Sequence, residues 1–307
     1  MNSIEMLRQL VACNSISSVN AGIDQSNLSI IEKLATWLED LGFSVEIMPL
    51  RDPRKANLIA TLGRGPGGMV LAGHTDTVPC DEALWQQSPF ELAEKDGRFY
   101  GLGVCDMKCF FAFAIEAAKQ FTERPLKQPL IILATADEES SMAGARALAE
   151  AGRPKARHAV IGEPTGMKPV FMHKGILIEK LLVRGRSGHS SNPTLGNNAL
   201  HTMHDVLSSL RALQAELREK YTNPLFAVDY PTLNLGCIHG GDNPNRICGH
   251  CELAFEIRPL PGMNIDELHQ TLSQRLLGLG EAEGTEVSMQ HFGVPAFSGA
   301  KQSELLT

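Results

Sequence analysis

Residues 69–79 read MVLAGHTDTVP, an apolar run ending in Gly73 and followed by His74 and Asp76. In an extended chain, side chains at i and i+2 point to one face. A metal-ligating imidazole usually gives its other ring N–H to a carboxylate, which fixes tautomer and orientation. His74 as ligand and Asp76 as its orienting carboxylate meet that need; a surface His–Asp pair at a strand end is the other reading. In GLGVCDMKCFF, residues 101–111, Asp106 stands just before a helical pattern and reads as a ligand or as a helix cap. ATADEES, residues 134–140, ends an apolar run in Asp137, Glu138 and Glu139. Three successive like charges need a cation or solvent. One carboxylate can ligate a divalent ion while its neighbour takes a proton from water; a solvated acidic turn is the alternative. IGEPT, residues 161–165, adds Glu163, and GRSGHSSNP, residues 185–193, places His189 in a Gly/Ser loop, as a functional group or a surface histidine.

Three other patterns invite chemistry but lack its setting. GRGPGG, residues 63–68, is followed by a strand pattern, so it reads as a turn and not as a phosphate cradle at a helix N-terminus. Cys248-Gly249-His250-Cys251 resembles a thiol–disulfide motif, but that chemistry wants its first Cys at a helix N-terminus, and CELAFEIRP alternates as a strand. His201 and His204 lie three apart on an amphipathic helix with no Glu between them of the zinc-protease kind.

The elements that must position these residues follow from periodicity. Leu28, Ile31, Leu34, Leu38 and Leu41 predict a helix over residues 24–42, and Phe43, Val45 and Ile47 alternate as a strand. Another strand is expected at 57–62. Runs at 69–73, 129–136 and 159–162 are continuously apolar, as in strands covered by helices on both faces. Helical patterns at 110–121 and 142–151 lie between them. Each of the three runs ends at a candidate ligand, and open α/β sheets gather their sites outside the carboxyl ends of strands. From residue 176 the order becomes strand (176–185), helix (197–220), strand (231–238), strand (251–257), helix (265–278) and strand (285–291), the β-α-β-β-α-β order of a ferredoxin-like domain. Residues 292–307 then return towards the first domain, and 303–306 read as the start of a helix.

Length and composition exclude several classes. The 307 residues favour two domains, and 43% hydrophobic with 21% charged residues is a soluble globular composition. A net charge of −7, without clustered Lys and Arg, argues against nucleic acid. MNSIEMLRQLVACNS has no apolar core of a signal peptide, and no run of 18 apolar residues predicts a membrane span. Seven scattered cysteines read as reduced thiols of a cytoplasmic protein.

GHTDTVP, GLGVCDMK, TADEE, IGEPT and SGHSSNP, in that order, resemble the M20 family of dinuclear metallo-aminoacyl hydrolases. LAGHTDTVP, ILATADEESSMAGAR, PTLNLGCIHGGDNPNRIC and EIRPLPGM narrow the likeness to members that deacetylate N2-acetyl-L-ornithine, a step of arginine biosynthesis. The likeness covers nearly the whole chain. It implies a zinc-aminopeptidase-like α/β catalytic domain (1–175 with 292–307), expected to be C-terminally incomplete against the family pattern, whose mixed sheet carries helices on both faces, and an inserted α+β ferredoxin-like dimerisation or lid domain (176–291). The resemblance further implies that His74, Asp106 and Glu163 hold one metal, and that Asp106 bridges to a second held by Glu139. Glu138 would be the general base and Asp76 would orient His74. His189 would act in the partner subunit's site of a homodimer, and Asn245 and Arg258 would contact substrate, Arg258 through the α-carboxylate. A ligand set of nitrogen and oxygen without Cys suits Zn²⁺ or Co²⁺.

The chain departs from the family pattern in places. Cys109 stands where Gly is usual and is expected to crowd the turn after Asp106, and Asn14 stands where Pro is usual. A further ligand histidine of the pattern is not matched; His291, in the last strand of the second domain, does not fill its place. Two rival expectations follow. One is another M20 substrate, such as succinyl-diaminopimelate or a dipeptide. The other is a catalytically silent fragment that keeps only the dimerisation domain's role.

Overall fold

The computed structural model describes residues 1–299, Ser303 and Leu305. The helical start read at 303–306 therefore lies largely outside the described residues. The chain divides into two compact units, Met1–Lys168 and a second beginning at Pro169.

The first unit opens with α1 (Ser3–Val11), capped by Asn2, whose side chain accepts from the backbone N–H of Glu5. Helix α2 (Leu28–Asp40) follows. It starts later than the periodicity suggests because Asp24 and Asn27 are used elsewhere: Asp24 pairs with Lys55, and Asn27 brackets the backbone of Ala56. Strands β1 (Ser44–Pro49), β2 (Ala56–Leu62) and β3 (Met69–His74) come next. A small hairpin of β4 (Ala93–Lys95) and β5 (Arg98–Tyr100), not foreseen in the sequence, precedes α3 (Cys109–Ala118). Then come β6 (Leu130–Thr135), α4 (Ala143–Ala151) and β7 (His158–Ile161).

The five-stranded sheet has the order β1-β2-β6-β3-β7. Its β1, β2 and β6 pair antiparallel, whereas β6, β3 and β7 run parallel. The sheet is mixed and carries helices on both faces, as expected, but the run at 159–162 is not buried: β7 lies at the sheet edge with Val160 and Ile161 exposed. Alternation along β6 shows why its run is continuously apolar: Ile132 and Ala134 pack with α1, α2 and α3, whereas Ile131 and Leu133 pack with Leu148 of α4. GRGPGG forms the turn between β2 and β3, with four of its glycines at positive φ.

In the second unit, β8 (Met172–His173) and β9 (Ile176–Arg184) precede α5 (Ala199–Lys220). Strands β10 (Thr232–Gly240) and β11 (His250–Arg258), helix α6 (Ile265–Leu276), and strands β12 (Glu286–Val294) and β13 (Phe297–Ser298) follow. Its four-stranded antiparallel sheet has the order β10-β11-β9-β12, the ferredoxin-like arrangement. Met203, Val206, Leu210, Leu213 and Leu217 of α5, with Leu268, Leu272 and Leu276 of α6, cover Leu181, Leu253 and Phe255 of the sheet. Among the described residues, no helix is long and apolar enough to cross a membrane.

Candidate metal centre and active site

The three parallel strands β3, β6 and β7 deliver their carboxyl ends to one edge of the first unit. His74 is the last residue of β3 and is almost fully buried. Its Nε2 lies 2.9 Å from Oδ1 of Asp106 and 3.8 Å from Oε1 of Glu163. Its Nδ1 lies 3.0 Å from the backbone carbonyl of Asp76 and 3.6 Å from that residue's Oδ1. The nearer partner of Nδ1 is thus the carbonyl of Asp76 and not its carboxylate.

Asp106 is not a helix cap. The residue preceding α3 is Lys108, with no side-chain capping bond, and Asp106 has extended backbone angles in the preceding segment. Two glycines allow α3 and its lead-in to approach the strand ends. A Cβ on Gly73 would meet Cε of Met107 at 2.8 Å, and one on Gly162 would fall 2.0 Å from the Phe110 ring. Gly162 immediately precedes Glu163, so this close packing sets where Glu163 emerges. Cys109 takes ordinary helical angles and packs against the core of this unit, and burial pushes its thiol up to about 11.

The three successive acids divide their work. Asp137, held at positive φ, gives its carboxylate to the Nζ of buried Lys55 at 2.6 Å, and Lys55 also meets Asp24 at 2.9 Å. Glu138 and Glu139 remain for the site. Their backbone N–H groups donate to Asp76, at 3.1 Å to Oδ1 and 3.0 Å to Oδ2. Asp76 thereby ties the end of β3 to the loop after β6.

The electrostatics are those of a crowded anionic pocket. Burial and like charges from Asp106, Glu138 and Glu139 push the Glu163 carboxyl up to about 7, although His74 opposes the rise. Burial also raises Glu138 and Glu139, with Asp76 and Asp106 adding to it. Burial disfavours the His74 imidazolium, but Asp76, Glu163 and Glu138 outweigh it and raise the pKa. Ligand atoms of His74, Asp106 and Glu139 lie within 4.8 Å of one another. One imidazole among carboxylates that resist ionisation without a counter-charge is a donor set that fits divalent cations.

The remaining expected residues belong to the second unit. His189 is exposed, its Nδ1 2.8 Å from Oγ of Ser191, and it bridges to Arg246. Ser190 donates its backbone N–H to the carbonyl of Asn245 at 3.0 Å, so the His189 and Asn245 loops are neighbours. Arg258 ends β11 and pairs with Glu256 at 2.8 Å. The loop that carries Asn245 enters β11 at His250, whereas Arg258 is eight residues further on, a strand length of roughly 27 Å.

Sequence reasoning missed several positioning residues. Asn57 accepts the backbone N–H of Ala136 at 3.1 Å and donates to the carbonyl of Gly144 at 2.9 Å, clasping both ends of the acidic loop. Lys108 is fully buried, donates to the carbonyl of Cys13 at 2.8 Å, and is brought down to about 8 by burial. Ser17 and Ser140 are hydrogen-bonded through their hydroxyls. Only the burial of a lysine beside the Asp106 segment, which no pattern reveals, could have flagged Lys108. Cys248 and Cys251 are buried free thiols at the start of a strand, and His201 and His204 are exposed beside Glu283 and Asp205.

Carboxylates gathered around a buried imidazole at the carboxyl edge of a mixed α/β sheet define a metal-dependent hydrolase. The chain belongs to the peptidase family M20/M25/M40, whose family model matches residues 70–299. The acetylornithine deacetylase of Photorhabdus laumondii is 52% identical over 274 residues, spanning 89% of this chain and 71% of that protein. The acetylornithine deacetylase of Pasteurella multocida is 47% identical over 306 residues, spanning 99% of this chain and 80% of that protein. A solved tripeptidase from Staphylococcus aureus shares the fold, with a TM-score of 0.74 at 17% identity, over 99% of this chain and 79% of that one.

Proposed function

We propose that the protein hydrolyses the amide bond of N-acyl amino acids, with N2-acetyl-L-ornithine as its substrate and L-ornithine and acetate as products, in the cytoplasmic biosynthesis of arginine. Identity of about half to two acetylornithine deacetylases supports the substrate. The single observation that carries the reaction type is the convergence of His74, Asp106 and Glu139 beside Glu138 and Glu163.

In this reading His74, Asp106, Glu139 and Glu163 would hold two divalent ions, Zn²⁺ or Co²⁺, with Asp106 a ligand of each. When bound, these ions supply Lewis acidity for the scissile carbonyl and for a water molecule. Glu138 takes the proton of the attacking water and returns it to the departing amine. A carboxyl whose pKa burial has raised is suited to both transfers. Asp76 holds the 138–139 backbone and the His74 ring in register through its two carboxylate oxygens and its carbonyl.

Arg258 has the planar fork that binds an α-carboxylate through two parallel hydrogen bonds. His189 and Asn245 contribute to the partner subunit's site in a homodimer formed through residues 176–291, His189 donating to the scissile carbonyl oxygen. The separation of Asn245 from Arg258 along the second unit supports such a division, since one amino acid cannot span it.

A panel of N2-acetyl-L-ornithine, N-succinyl-diaminopimelate, other N-acetyl amino acids and dipeptides, assayed for released amine, tests the substrate. The highest kcat/KM is expected on N2-acetyl-L-ornithine. Preference for the succinyl substrate or for dipeptides would place the protein elsewhere in the M20 family, and activity on none would make it a silent chain.

A further inference from the structure

The second unit contains a cluster that the proposed reaction does not use. Glu179 lies on the inward face of β9, between Leu177 and Leu181, and is fully buried. A carboxylate on an apolar face is costly unless it is paired. Glu179 is only half satisfied. Its Oε1 meets Nδ1 of His269, from α6, at 2.7 Å, whereas its Oε2 is buried without a hydrogen-bond partner among the described residues. His291 of β12 is directly opposite Glu179 in the β9–β12 pairing, so both side chains lie on the same face of the sheet. The His269 and His291 rings stand 3.8 Å apart between centroids. A helix, a central strand and an edge strand thus aim two imidazoles and one carboxylate at one point, their ligand atoms within 4.8 Å of one another.

We propose that Glu179, His269 and His291 form a second kind of metal site, which binds one Zn²⁺ ion within the ferredoxin-like unit. The donor set, two His and one carboxylate, suits Zn²⁺ with water in the fourth position. Burial falls from Glu179 through half-buried His269 to exposed His291, so the ion has a route from solvent. Tetrahedral ligands about 2.0–2.1 Å from zinc stand roughly 3.4 Å apart, and rotation of the exposed His291 side chain closes the remaining gap. The ion supplies the charge that Oε2 lacks and pins α6 and edge strand β12 to β9. An ordinary Glu179–His269 ion pair, with His291 merely stacked beside it, leaves that oxygen unanswered. The raised pKa of Glu179, caused mainly by burial and only partly offset by His269 and His291, agrees with an unmet need for positive charge.

The test is zinc stoichiometry of the full chain, by elemental analysis after saturation with Zn²⁺ and removal of free ion, in the wild type, His291→Ala and Glu179→Gln. His291 is exposed on an edge strand, so its replacement leaves the fold intact, as circular dichroism will verify. Both variants are expected to hold one zinc fewer per chain than the wild type, and Co²⁺ substitution is expected to give visible absorption that His291→Ala diminishes by the contribution of this site. Equal stoichiometry in wild type and His291→Ala, with an unchanged Co²⁺ spectrum, would overturn the proposal and leave the cluster as an ion pair. Because the readout is metal content, it is independent of which amide the protein hydrolyses.

Discussion

The carboxylate of Asp76 accepts the backbone N–H of Glu138 at 3.1 Å, and its second oxygen accepts that of Glu139 at 3.0 Å. Asp76 therefore ties the backbone of the proposed base to the end of β3. Loss of an outer partner of this kind typically costs about 10–100-fold in metal affinity or activity. Asp76→Asn is expected to fall in that range, because its amide NH₂ must face one of two N–H donors. The measurement is kcat together with the metal dissociation constant; unchanged values for both would remove Asp76 from the site.

Glu163 gives a pH signature in metal-free protein. Its ordinary value of 4.5 is raised to about 7 in the fold. A raised carboxyl pKa means that the native state binds the proton more tightly than the unfolded chain. Its contribution is favourable below about pH 4.5 and is lost as pH rises towards 7. His74, also raised, changes stability in the same direction. Metal-free Glu163→Gln should therefore melt above the wild type at pH 7.5 and close to it at pH 5. Thermal scans at both pH values provide the check, and a parallel shift at both would count against the assignment. Added Zn²⁺ should raise the wild-type midpoint more at pH 7.5, where the ligands give up fewer protons to bind it.

Lys55 is the buried counter-charge of Asp24 and Asp137. Burial tends to lower its pKa, but the two carboxylates prevail and raise it. Breaking such a pair by removing one partner costs about 3–5 kcal/mol. Lys55→Met should show a loss of that order in urea unfolding, and also reduced activity, because Asp137 immediately precedes the proposed base.

The assignment of His189 to the partner subunit's site makes a complementation prediction. Glu138→Ala and His189→Ala are each expected to be nearly inactive. In a randomly reassorted mixture, half of the dimers would pair one variant with the other and contain one intact site, restoring about a quarter of wild-type activity. No restoration after demonstrated subunit exchange would place His189 in its own chain's chemistry or outside it.

Much of the site was legible because its residues sit where strands stop. The runs at 69–73 and 129–136 announce buried strands, the run at 159–162 announces a strand that lies at the exposed edge of the sheet, and a polar residue directly after such a run faces the carboxyl edge. Less legible was how charges are shared across long separations. Nothing in ATADEES shows that Asp137 is neutralised by Lys55, 82 residues earlier, and is therefore unlike its two neighbours. Asp106 looked like a cap because local pattern gives no account of the turn that swings it towards His74. The Glu179 cluster did carry a signal. The alternation Leu177, Glu179, Leu181, Val183 puts a carboxylate on the buried face, but its partners come from α6 and β12, about 90 residues and more away.

The central claim is that Glu138 moves the proton in a reaction that the His74, Asp106, Glu139 and Glu163 cluster makes possible. Glu138→Gln keeps the shape of the side chain and removes its basicity. Its rate of ornithine release from N2-acetyl-L-ornithine, measured beside its metal content, tests the claim most directly. The account predicts metal content equal to wild type and kcat lower by about 10²–10⁴-fold. A variant with equal metal content and most of its activity would contradict it.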